Sequence, residues 1–128
     1  MKHKYFSIIT KDVAKLSEFY KTILQAETNG IVDLENYVEL YIDDGFVVCV
    51  ESVASVKSRS GTHFLTGSII IEFEVSKVDD EYSRLKKLGV NTLQEPFDNP
   101  WKTRNFYFHD PDGNLVCFYT DFNMTSIS

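Results

Sequence analysis

The chain has 128 residues and a formal charge of −6, from 13 Lys and Arg against 19 Asp and Glu. That length suits one ordinary domain with a real core. The acidic balance argues against nucleic acid, whose phosphates attract basic surfaces, and less strongly against anionic membranes.

Met1-Lys2-His3-Lys4 leads straight into a strand pattern, with no apolar run of signal-peptide length. No run of about 18 apolar residues exists, so no transmembrane helix is expected. Cys49 and Cys117 lie within apolar strand patterns and read as reduced thiols of a cytoplasmic protein.

Tyr5 to Thr10 alternates as a strand, with Phe6 and Ile8 on one face and Tyr5, Ser7 and Ile9 on the other. Asp12 is placed to cap a helix whose apolar stripe is Val13, Leu16, Phe19, Tyr20, Ile23 and Leu24. Asn29-Gly30 marks a turn or a bulge. Tyr37 to Ile42 and Phe46 to Glu51 read as a hairpin around Asp43-Asp44-Gly45. Ser52 to Gly67 has little periodicity and reads as a connector holding at most one helical turn. Ser68 to Val75 is a strand. Ser76 is placed to cap a second helix, with Asp79, Asp80 and Glu81 at its positive end. Val78, Tyr82, Leu85 and Leu88 form its stripe, and Gly89 stops it. Val90 to Leu93 reads as a short strand and Glu95 to Asn105 as a loop. Phe106 to Tyr119 closes the domain as a hairpin around Asp110-Pro111-Asp112-Gly113-Asn114. Phe122 to Ser128 reads as a mobile tail.

The order strand, helix, strand, hairpin occurs twice. Tyr41 to Val50 is similar to Phe108 to Phe118, and Cys49 and Cys117 fall at matching places.

Three stretches resemble the vicinal oxygen chelate superfamily, the group of glyoxalase I, the bleomycin-resistance proteins and the extradiol dioxygenases. They are Asp12 with Phe19-Tyr20 and Leu24, Glu74-Val75 through Leu88-Gly89, and the Asp110 to Asn114 turn. The resemblance implies an α+β fold. Two βαβββ modules, about 1–60 and 66–122, would form an open curled barrel around a cleft. It also implies a homodimer. It is specific for the fold and unspecific for the reaction.

Enzymes of this superfamily hold a divalent metal through His and Glu. The resemblance puts the ligand places at Tyr5, Cys49, Ile70 and Cys117, none of which is a His or a carboxylate. No metal or other cofactor is therefore expected. His3, His63 and His109 read as surface or structural histidines. Strand alternation then selects a cleft lining. It comprises Tyr5, Ser7, Glu39, Tyr41, Ile70, Glu72, Asn105, Tyr107, Cys117 and Tyr119. Trp101 joins as a stacking wall, because Pro100 to Arg104 resembles a Pro-Trp-Gly-x-Arg stretch of the bleomycin-resistance branch, with Lys102 in place of the Gly. Such a lining suits a small organic ligand, cationic or aromatic. The expected function is binding that sequesters a toxic or antibiotic-like compound. The alternative is a metal-dependent lyase, isomerase or dioxygenase with displaced ligands such as His3, Glu39, Glu72 or His109. A third option is an interaction module whose cleft its own side chains fill.

Overall fold

A computed structural model describes residues 4–43, 46–60, 70–100 and 102–121. The expectations placed on His3, the Asp44-Gly45 turn, His63, Trp101 and the tail from Phe122 lie outside these residues. The chain falls into two compact units, Met1–Thr66 and Gly67–Ser128.

The first unit runs β1 (Lys4–Thr10), α1 (Val13–Leu24), β2 (Glu27–Asp33), β3 (Tyr37–Asp43), β4 (Phe46–Ser52) and α2 (Val53–Ser60). Its sheet has the order β1-β4-β3-β2. β1 runs parallel to β4, and the other pairings are antiparallel. Helix α1 starts where Asp12 accepts a hydrogen bond from the Lys15 N–H at 3.1 Å, a cap worth about 1 kcal/mol. It ends where Gln25 turns left-handed at φ 52°. Val13, Leu16, Tyr20 and Ile23 are buried at helical spacing. They share the core with Ile8, Val38, Leu40, Val48 and Val50 from one face of the sheet.

The second unit runs β5 (Ile70–Glu74), α3 (Val78–Lys87), β6 (Phe97–Asp98), β7 (Thr103–His109) and β8 (Leu115–Asp121). Its sheet has the matching order β5-β8-β7-β6, with β5 parallel to β8. Phe73, Phe106, Phe108 and Phe118 form its core, with ring centroids 5.1–6.0 Å apart. Tyr82 of α3 packs on Phe106 at 5.3 Å. Acidic residues fill the first turn of α3 and basic ones its last, which suits the helix dipole. The β7–β8 turn is organised by Asp110, which accepts from the Asp112 and Asn114 N–H groups at 2.9 and 2.8 Å. Gly113 takes the positive φ of 85° that this turn requires.

The fold is α+β, made of two βαβββ modules, and each sheet is open with two edge strands. Some local expectations change. Asn29-Gly30 is a bulge within strand β2, whose register shifts between Thr28 and Val32. The connector holds an eight-residue helix, α2, which begins where Ser52 Oγ accepts from the Ser55 N–H at 3.0 Å. Val90 to Leu93 is not a strand; Thr92 alone bridges to Phe108. Phe97–Asp98 adds the short β6 inside the expected loop, paired to Asn105 and Arg104. Ser76 does not cap α3. Lys77 holds the cap position without a side-chain bond, and the Val78 N–H donates to Thr120 Oγ1 at 3.2 Å. Among the described residues, no helix is long and apolar enough to cross a membrane.

Candidate functional site

Alternation along paired strands decides which residues share a face. In the second module Glu72, Cys117 and Tyr107 stand opposite one another on β5, β8 and β7. Tyr119 and Asn105 stand opposite one another in the next row. These five line a cavity of about 180 Å³ with Asn99 and Thr103. Phe97 of β6 flanks the Tyr107 ring at 6.3 Å. The cavity is therefore an aromatic and polar patch on the side of the sheet opposite the phenylalanine core.

Its electrostatics are simple. Burial pushes the Cys117 thiol up to about 12, aided by the negative charge of Glu72. Burial likewise raises the Tyr107 and Tyr119 phenols. All three stay protonated at neutral pH, and Glu72 is the one carboxylate among the described lining residues. Glu72 is exposed. The arginines of this module are engaged elsewhere, Arg84 by Glu81 and Arg104 by Asp79 and Asp98. Asn99 Nδ2 donates to Thr103 Oγ1 at 3.0 Å and to Asn105 Oδ1. Asn105 is 2 % exposed.

The corresponding face of the first module closes on itself. Ser7, Cys49 and Glu39 stand opposite one another on β1, β4 and β3. Glu39 accepts hydrogen bonds from the Tyr37 hydroxyl at 3.0 Å and the Tyr41 hydroxyl at 2.8 Å. The Tyr37 oxygen also lies 3.2 Å from the Cys49 sulfur. Glu51 is 1 % exposed and accepts from the Ser7 hydroxyl at 2.6 Å and the Ser55 hydroxyl at 3.3 Å. Burial raises the Tyr37 phenol, and the bond to Glu39 raises that of Tyr41. Gly30 sits beside this group; a Cβ there would lie 3.6 Å from Glu39 Oε1 and 3.7 Å from the Tyr41 hydroxyl.

The sequence profile of the glyoxalase/bleomycin resistance protein/dioxygenase superfamily matches residues 2–118. The chain belongs to that superfamily. A bleomycin resistance protein of Geobacillus stearothermophilus is 36% identical over 59 residues, 44% of this chain and 43% of the relative. The chain thus matches less than half the length of that relative. A fosfomycin resistance protein, FosX, of Listeria innocua is 24% identical over 115 residues, 87% of this chain and 83% of the relative. A solved superfamily structure from Nocardioides superposes with a TM-score of 0.74 at 21% identity, covering 91% of this chain and 81% of that one. That likeness supports the superfamily's fold for the paired modules.

The metal-ligand places of the superfamily can now be tested on these side chains. Ile70 has no donor atom. Cys49 and Cys117 pair opposite Ser7 and Glu72 in the two modules, which makes them structural equivalents. Burial raises both thiols, whereas metal binding needs thiolates. Tyr5 is 57 % exposed. Among the described residues no three His, Cys, Asp or Glu side chains cluster as a metal would require. This donor set does not fit the superfamily's divalent metal.

Glu72, Asn105, Tyr107, Cys117 and Tyr119 are thus brought together around one cavity. Ile70 shares their face but is 50 % exposed and outside the lining. His109 ends β7, also outside the lining. Ser7, Glu39 and Tyr41 belong to the hydrogen-bonded face of the first module, which also carries Tyr5. Sequence reasoning missed Tyr37 and Glu51 there, and Asn99 and Thr103 around the cavity. Parity was a usable signal for three of them. Tyr37 shares it with Glu39, Glu51 with Cys49, and Thr103 with Asn105. Asn99 follows β6, whose two residues give no periodic signal.

Proposed function

We propose that this protein binds a small organic ligand without a metal and without bond chemistry, and acts by sequestering it. The ligand is cationic or aromatic and occupies the cavity of the second module. The single observation that carries this reading is the make-up of that cavity. One exposed carboxylate, Glu72, is set among two tyrosines and a thiol that burial keeps protonated. Tyrosine faces attract cations and stack on rings, and a carboxylate adds charge attraction. A thiol pushed up to about 12 stays protonated at neutral pH, which disfavours it as a nucleophile. The bleomycin and fosfomycin resistance proteins among the relatives support a toxic or antibiotic-like ligand. A homodimer in the cytoplasm is part of the same proposal.

Calorimetry against a panel of aromatic amines is the test. Glu72→Gln and Tyr107→Ala should each weaken the best ligand by tenfold or more. If neither does, the cavity is not the site. Elemental analysis of the purified protein tests the rest; stoichiometric Zn, Ni, Mn or Fe, lost together with an activity, would replace this reading with a metal enzyme. Light scattering reads the dimer.

A further inference from the structure

Most polar side chains around the cavity are committed to one another. Asn99 bonds to Thr103 and to Asn105. The Tyr107 hydroxyl in turn bonds with the Cys117 thiol and the Asn105 amide. Each member of this chain has a partner within the protein. What it leaves for a ligand is Glu72, Tyr119 and the ring faces. Glu72 is exposed, and among the described residues no hydroxyl caps it as Tyr37 and Tyr41 cap Glu39 in the first module.

The rings stand around that carboxylate. Glu72, Cys117 and Tyr107 lie side by side on β5, β8 and β7, and the short Cys117 side chain is the middle one. Strand spacing puts β5 and β7 about 10 Å apart. A cation seated over Cys117 is therefore about 5 Å from either flank, inside the ~6 Å reach of cation–π attraction. Tyr119 bounds the next row. Its phenol is raised by burial and by the charges of Glu74, Glu72 and Asp121, and the same charges draw a cation towards its ring. Phe97, 38 % exposed, stands opposite Asn105 on the cavity face, its ring centroid 6.3 Å from that of Tyr107.

We propose that this cavity selects a quaternary ammonium, with methyl groups where an amine carries N–H, attached to a single aromatic ring. This rests on the binding function above, in which Glu72 and the tyrosines hold a cation. A primary ammonium has three N–H donors and a tight hydration shell. Among the described lining residues it meets two uncommitted acceptors, Glu72 and the Tyr119 hydroxyl, so one donor has to stay with water. A quaternary ammonium has no donor to satisfy, and its methyl groups pack directly on ring faces. A cavity of about 180 Å³ is smaller than the ~300–1,000 Å³ of drug-sized sites, which agrees with one such head group and one ring.

The probes are benzyltrimethylammonium and benzylamine, which share one ring and one positive charge. Calorimetry with the full chain should show the quaternary probe binding at least tenfold tighter. Tyr119→Leu keeps an apolar side chain of similar reach but removes one ring face, so this ratio should fall about fivefold. Equal or tighter binding of benzylamine by the unmodified protein overturns the inference while the binding function stands. A ratio that survives unchanged in Tyr119→Leu also overturns it, because the ring does not then make the selection. If neither probe binds at millimolar concentration, the cavity reading fails and this inference with it. Should Tyr119→Leu not fold, the ratio for the unmodified protein decides alone.

Discussion

Cys117→Ala should flatten the alkaline limb of the protein's stability curve. In the fold this thiol has a pKa of about 12, against 9.0 ordinarily, because it is buried and faces Glu72. The folded state therefore holds the proton more tightly than the unfolded chain does. That contribution is complete below pH 9 and is lost as pH rises towards 12. The gap of 12 − 9.0, at ~1.36 kcal/mol for each pH unit, amounts to roughly 4 kcal/mol over the whole window. By pH 11 more than half of it is gone. The assay is urea denaturation of the protein and of Cys117→Ala at pH 8, 9, 10 and 11. Cys49 is present in both proteins and drops out of the difference, whereas Tyr107 and Tyr119, whose phenols the Cys117 charge helps to raise, add a change of their own at the alkaline end. That difference should shift by roughly 2–3 kcal/mol against the unmodified protein between pH 8 and pH 11. A constant difference across the series would refute the protonated, buried thiol. It would also reopen Cys117 as a ligand or nucleophile.

Asp110→Ala removes the acceptor of two backbone N–H groups in the closing turn and should cost about 2–3 kcal/mol in a denaturation curve. Asp12→Ala removes the α1 cap and should cost about 1 kcal/mol by the same measurement. Arg104→Ala breaks ion pairs to the exposed Asp79 and Asp98. It should cost under about 1 kcal/mol, and 1 M salt should shrink the loss further.

The repeat and both main helices were legible because period and burial agree in them. Leu16, Tyr20 and Ile23 are at most 1 % exposed at helical spacing. The phenylalanines of β7 and β8 alternate cleanly with the cavity residues. Strand β2 was illegible for the opposite reason. Glu27, Thr28, Asn29 and Gly30 carry no alternation, and only pairing to β3 makes them a strand. Helix α2 has no apolar stripe to announce it. The start of α3 depends on Thr120, 42 residues away from Val78, and no local pattern can report such a bond. The cavity itself followed from parity, but the Asn99–Asn105 pair required the chain to turn back at β6.

The parallel seam in each module dictates when that module can be finished. Lys4 of β1 lies beside Phe46 of β4, so β1 has no neighbour until nearly all of the first module has been synthesised. Hairpin β3–β4 can close within about 1–10 μs of its appearance, whereas β1 must wait for it. At ~5–20 residues per second on the ribosome, that wait is roughly 2–8 s for the 46 − 4 residues involved. Throughout it, β1 presents an unpaired strand edge to the crowded cell.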